Sequence, residues 1–350
     1  MPLLVEPNEA ISYLERFFKP NKARGMVAEL ALAPEIQIIG TPAERKLLSG
    51  GWLISPRVQT PQYYRYMVSV LPYLYVDEAE LQKAVFELEK DRGWQALATY
   101  LSQSAIGIIV SGAYSKTATA NLENLVWKNY VYSEERLIVT HGDQPFISWP
   151  GGRGRPGTGA PWQPDVISRF RRASANELTV LAMRQAFYYG YLKQELRKSV
   201  DDPYDVDAFV VSFTGSVMPV EIKEKSPTPA GDFGIDAGRI LMLLRLCIAT
   251  DSNALYLIRQ VDDSETRKLV GWKYITLSDM VIGCRWNLQA GGRGMGGGAT
   301  QTVMISGHLF NDFSLSNFSE EWLAENGSLQ ESVRSAAKHL MGDLSLFLNR

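Results

Sequence analysis

The apolar positions of this chain recur with two periods. Along "PNEAISYLERFF" (7–18), "DEAELQKAVFELEKD" (77–91) and "GWQALATYLSQS" (93–104) they return every three or four residues, which predicts helices. Pro7 and Asn8 give the first of these a start signal. The same period runs through "SANELTVLAMRQAFYYGYLKQELRKS" (174–199), where Ser174 and Glu177 have capping-box spacing, and predicts one long amphipathic helix. Alternation and β-branched runs mark strands at 105–112 and 136–141, and an aromatic-rich one at 63–76 that Pro72 breaks. Further on, "DVDAFVVSF" (205–213), the turn "TGSV" and "MPVEIKEK" (218–225) read as a hairpin turning near Gly215 and Ser216. A helix from about Asp236 to 250, strands at 253–261 and 268–277, and C-terminal helices from 320 onward complete the pattern.

Two segments interrupt it. "WPGGRGRPGTGAPWQP" (149–164) and "QAGGRGMGGGATQ" (289–301) are too rich in Gly and Pro for helix or central strand. Each reads either as a plain connection or as a phosphate-binding loop, with Arg153 and Arg155 in the first and Arg293 in the second. Neither carries the Gly-Lys-Ser/Thr ending of a nucleotide-binding loop. Together they suggest four parts: an N-terminal α/β region (1–148), a Gly/Pro-rich loop (149–164), a core (165–285), and a Gly-rich loop with C-terminal helices (286–350).

Composition narrows the class. A hydrophobic fraction of 45% with 21% charged residues is ordinary for a globular chain. No apolar run of about 18 residues is present, and the N-terminus lacks a basic segment followed by a long apolar one. Two cysteines, Cys247 and Cys284, and three dispersed histidines argue against structural zinc or a disulfide framework, and Cys247 reads as a core residue. A cytoplasmic protein without a membrane segment is expected. The net charge of −2 offers no general attraction for a polyanion, so any nucleic-acid binding must use local basic patches.

The chemistry gathers at "PVEIKEKSP" (219–227). Val220 and Ile222 are apolar, while Glu221, Lys223 and Lys225 share the other strand face. Alone, this alternation reads as a strand with one solvated side. Its hairpin partner changes the picture. Asp205 and Asp207 share a face of that strand, and folding about Gly215 brings Asp207 opposite Glu221 and Lys223. Two carboxylates suit a hard divalent cation, and a neighbouring lysine suits charge stabilisation or proton transfer during phosphodiester hydrolysis.

Residues 174–277 resemble the PD-(D/E)XK nuclease superfamily, which includes many type II restriction endonucleases, archaeal junction resolvases and phage-defence nucleases. Asp207 stands as the motif aspartate and Glu221 and Lys223 as its E-x-K. The resemblance implies an α/β fold with a restriction-endonuclease-like mixed sheet flanked by helices, here with an additional N-terminal α/β region. It implies Mg²⁺, or Mn²⁺, held by Asp207, Glu221 and the Ile222 carbonyl, with Lys223 acting on the attacking water. It also implies an auxiliary acid on the preceding helix, for which Glu195 is the best match. The family's aspartate often follows proline directly, whereas here Pro203 is followed by Tyr204 and Asp205, which leaves Asp205 as an alternative ligand. Asp207 is preferred because it lies nearer Glu221 across the hairpin.

The expectation is a Mg²⁺-dependent endonuclease of double-stranded DNA, sequence-specific and homodimeric in the manner of restriction enzymes. Its rivals are a structure-specific or phage-defence nuclease, a non-catalytic DNA-binding protein, and a different α/β enzyme with a chance E-x-K. Phosphate contacts are expected from Lys225, Arg153, Arg155, Arg169, Arg171, Arg172, Arg239 and Arg293. Tyr188, Tyr189 and Tyr191 read as helix packing.

Overall fold

The structure, a computed structural model, describes residues 2–36, 45–56, 64–117, 119–152, 159–264, 266–290, 301–314 and 319–348. It is α/β, with both parallel and antiparallel strand pairs and helices packed on the strands. Two compact units divide the chain: residues 1–31 with 48–206, and residues 32–47 with 207–350. The boundary therefore does not fall at the Gly/Pro-rich segment 149–164. It falls inside a strand, between Val206 and Asp207, because the helices that follow 164 pack with the N-terminal elements.

The first unit opens with α1 (Pro7–Glu15) and most of α2 (Pro20–Ile36). Its strands are β1 (Arg45–Pro56, from Leu48), β2 (Tyr66–Tyr75), β3 (Gly107–Ser115), β4 (Leu125–Ser133) and β5 (Arg136–Val139), adjacent in that order. Among the described residues of these five strands, β2 and β3 pair parallel and the other neighbours antiparallel. Their connection supplies α3 (Glu78–Glu89) and α4 (Arg92–Gln103), consistent with the long crossover that a parallel pair requires. Pro72 does not end β2; the register shifts between Val70 and Leu74 and the strand continues.

Two further helices, α5 (Pro164–Phe170) and α6 (Ala175–Gln185), belong to this unit. Ser174 and Glu177 form the expected capping box on α6. The helix does not continue as α. Residues Ala186–Glu195 form a π-helix, with the Leu196 amide donating to the Tyr191 carbonyl at 2.9 Å. Tertiary packing accounts for the wider turn. Tyr188 stacks on Trp52 at 4.1 Å, Tyr191 stacks on Trp127 at 5.5 Å, and Tyr189 meets both Phe17 and Phe18. A Cβ at Gly190 would come 2.4 Å from the Tyr13 hydroxyl, so a larger residue there would require that ring to shift. These tyrosines are packing residues, as expected.

In the second unit, β6 (Val200–Ser212, from Asp207), β7 (Val217–Lys225), β9 (Leu255–Val261), β10 (Leu269–Thr276) and β13 (Asn311–Asp312) are adjacent in that order. The β6–β7 hairpin is antiparallel, with Ala208 opposite Val220. Gly215, at φ 89°, makes the turn, and the Ser216 amide donates to Ser212 Oγ at 2.8 Å. Between β7 and its parallel neighbour β9 come β8 (Phe233–Asp236) and α7 (Ala237–Thr250). Helix α7 is apolar nearly all round and correspondingly buried, with α10 (Glu331–Phe347) packed against it. Cys247 lies fully buried within α7, and burial pushes its thiol up to about 12. Strand β8 also belongs to a three-stranded antiparallel sheet with β11 (Leu288–Ala290) and β12 (Gln301–Ile305). The remaining helices are α8 (Leu277–Gly283) and α9 (Glu320–Asn326). Among the described residues, no helix is long and apolar enough to cross a membrane.

Candidate active site

The hairpin register decides the site. With Ala208 opposite Val220, the neighbouring positions Asp207 and Glu221 face each other across β6 and β7 on the same side of the sheet. Glu221 is fully buried and Asp207 is 7% exposed. The reading of this β7 face as solvated is therefore overturned, because carboxylates in such a place need partners.

Lys223 supplies them. Its Nζ lies 2.6 Å from Glu221 Oε1 and 3.0 Å from Asp207 Oδ2, and it donates to the Ile222 carbonyl at 2.9 Å. The Ile222 amide donates to Asp207 Oδ2 at 2.7 Å, which pins that carboxylate to the partner strand. Asp207, Glu221 and Lys223 thus meet at one point, as the alternation and turn predicted, and the Ile222 carbonyl meets them there.

Helix α7 approaches the same point. Asp236 caps it by accepting from the Gly238 and Arg239 amides at 2.7 and 3.2 Å. Arg239, in the first turn, places Nε 3.8 Å from Glu221 Oε1. Here it faces the carboxylate, where a phosphate contact was expected. Lys225, two residues beyond Lys223 on the same strand face, is half-buried. Burial pushes its pKa down to about 8, Lys223 and Arg267 add repulsion, and Asp236 and Glu221 offset part of it.

Tyr256 is a neighbour that the sequence did not reveal. It is the register partner of Glu221 on the parallel strand β9 and is 2% exposed. Burial raises its phenol pKa, and Lys223, Glu221, Arg239 and Asp207 all act on it electrostatically. Parallel register across a crossover leaves no local signal, so alternation alone cannot find such a residue.

Other expected residues lie elsewhere. Asp205 accepts from Gln185 Nε2 at 2.8 Å and pairs with Arg184 Nε at 3.3 Å. Arg184 also pairs with Glu29, so Asp205 belongs to a separate cluster of the first unit, in which Arg184 and Gln185 are buried. The structure does not assign Glu195 to the Asp207 and Glu221 carboxylates. It ends the π-helix, where burial raises its pKa, Lys116 lowers it and Asp143 raises it further. Arg171 and Arg172 are exposed past the end of α5, with Arg171 Nε donating to Asn8 Oδ1 at 3.2 Å, and Arg169 is half-buried. Arg153, Arg155 and Arg293 lie outside the described residues. The ends of the second Gly-rich segment are held together, since Ala290 and Gln301 are register partners.

Among the described residues, no group of three or more His, Cys, Asp and Glu side chains could hold a metal ion. The oxygen set at Lys223 is smaller: two carboxylates and one carbonyl. That set fits Mg²⁺, which is commonly bound through one or two carboxylates and retains several waters.

Compared with family models, curated proteins and solved structures, the chain matches none.

Proposed function

We propose that this hairpin is the catalytic centre of a divalent-metal-dependent DNA endonuclease of the PD-(D/E)XK type, built on a restriction-endonuclease-like core. The observation that carries the reading is the convergence of Asp207, Glu221 and the Ile222 carbonyl within 3.0 Å of one cationic group, the Lys223 ammonium. The antiparallel hairpin followed by a helix and a parallel strand supports the fold assignment. Mg²⁺, or Mn²⁺, would be held by those oxygens. Such an ion, when bound, polarises a phosphoryl oxygen and lowers the pKa of a bound water.

The protein's own groups do the rest. Asp207 and Glu221 fix the oxygen positions, because one is hydrogen-bonded to the backbone and the other is buried. Lys223 brings a positive charge and three donors to the place where phosphoryl charge develops. Lys225 and Arg239 add positive charge around the scissile phosphate. Sequence-specific cutting of both strands by a homodimer is the form we favour, since a two-fold site mirrors protein symmetry.

The test is cleavage of a defined plasmid with Mg²⁺, Mn²⁺, Ca²⁺ or EDTA. Discrete bands are expected with Mg²⁺ and none with EDTA. Glu221→Ala should abolish cleavage while DNA binding persists. Lys223→Ala should slow single-turnover cleavage by roughly 10²-fold or more. A smear, or selective cutting of junctions, would favour the nonspecific or structure-specific relatives. Binding without cleavage under every metal would leave a DNA-binding protein.

A further inference from the structure

The position that the oxygens define is already filled by part of the chain. Lys223 directs its ammonium at Glu221 Oε1, Asp207 Oδ2 and the Ile222 carbonyl, at 2.6, 3.0 and 2.9 Å. The ammonium donates to Asp207 Oδ2 and the Ile222 carbonyl, and Glu221 Oε1 faces it as an ion pair. A divalent ion takes such oxygens at about 2.0–2.6 Å, so it cannot share them with an ammonium at the same centre. Nor can the two carboxylates shed their cation cheaply. Both are buried, and their mutual repulsion needs an opposing charge nearby.

The chain can move that charge. Lys223 sits on a flexible four-carbon stem, and its side chain is 23% exposed while those of Glu221 and Asp207 are 0% and 4%. The oxygens are therefore the fixed part of the arrangement and the ammonium the displaceable part. Arg239, 3.8 Å from Glu221 and carried on α7, stays beside that carboxylate when Lys223 leaves.

We propose that Lys223 is a built-in counter-cation of the metal site: the divalent ion enters by exchanging with its ammonium, which swings toward the open side, where substrate and water lie. Lys223 thereby acts as a positioning residue before it acts on the reaction. It keeps Asp207 and Glu221 in ligand geometry and holds down the metal affinity of the free protein. This rests on the reading of Asp207 and Glu221 as metal ligands.

The experiment is calorimetric titration of the full chain with Mn²⁺ and with Ca²⁺, without nucleic acid. The proteins are wild type, Lys223→Met and Lys223→Gln, each with and without Asp207→Asn. Both lysine variants should bind the ion more tightly by roughly 10- to 100-fold, the weight of a charge-assisted hydrogen bond. Asp207→Asn should cancel the gain. Thermal melts give a second readout that does not depend on activity. Without metal the lysine variants should melt below wild type, and Mn²⁺ should raise their Tm by more than it raises the wild type's. Equal affinity in wild type and both variants would overturn the exchange while leaving the metal reading intact. Binding by none of the proteins at millimolar Mn²⁺ would overturn the metal reading and the exchange with it.

Discussion

Lys225 shows how one residue can report on the charges gathered around Glu221. Its pKa is pushed down to about 8 by burial first, then by Lys223, with Asp236 and Glu221 opposing and Arg267 adding repulsion. An unfolded lysine titrates near about 10.4. Between those values the unfolded chain binds more protons than the folded one, so stability rises with pH across that window. Below about pH 8 the group is charged in both states and its burial opposes folding. Lys225→Met should therefore flatten the rise in Tm between pH 8 and 10. Parallel wild-type and variant profiles would mean that Lys225 titrates as an ordinary solvated lysine. The triad beside it was legible because strand period and turn position are local properties. Tyr256 was not, because its place beside Glu221 depends on how β9 registers against β7.

Strands β7, β9 and β10 carry a second charged row. Glu224 accepts from Arg259 Nη1 at 3.0 Å and from Arg267 Nε at 2.6 Å. Arg259 also grips Glu35 through Nε and Nη2, and Trp272 Nε1 donates to Glu35 at 3.0 Å. The register explains the row, since Glu224 pairs with Arg259 and Arg259 with Trp272. Arg259→Ala would leave two carboxylates short of a partner, and should cost about 3–5 kcal/mol. Urea unfolding measures it as a lower midpoint at unchanged slope. A loss below about 1 kcal/mol would place the cluster with solvent-screened surface pairs. Element type was legible for the hairpin, α3, α4, α7 and the C-terminal helices. The π-helix was not, because its apolar spacing reads as an amphipathic helix and the ring packing against Trp52 and Trp127 sets the wider turn.

The chain passes between its two units at residues 31/32, 47/48 and 206/207. Neither unit is therefore one continuous segment. The second takes Glu35 from residues 32–47, and Glu35 meets both Arg259 and Trp272. A fragment holding only 207–350 lacks that carboxylate. It should show no cooperative thermal transition under conditions where the whole chain does, and circular dichroism melts of the two test this. A fragment melting as sharply as the intact chain would show that 32–47 is dispensable to the unit. The division was hidden in the sequence because Gly/Pro-rich composition marks where regular structure stops, as at 149–164, and not which elements share a core.

By itself the sequence determined a mixed α/β chain, a hairpin about Gly215, and the placing of Asp207, Glu221 and Lys223 on one side of it. These follow from side-chain period and turn chemistry, which act over a few residues. Tertiary structure alone decided that the Glu221 face is buried, that Arg239 and Tyr256 close around it, and that Asp205 belongs with Arg184 and Gln185. It also decided that Glu224, on the opposite face of β7, is locked to arginines. Each of these depends on partners far along the chain, brought together by a parallel crossover or by packing. Two-residue alternation is the same whether a strand face meets water or another layer of the protein, so burial and partnership had to come from the fold.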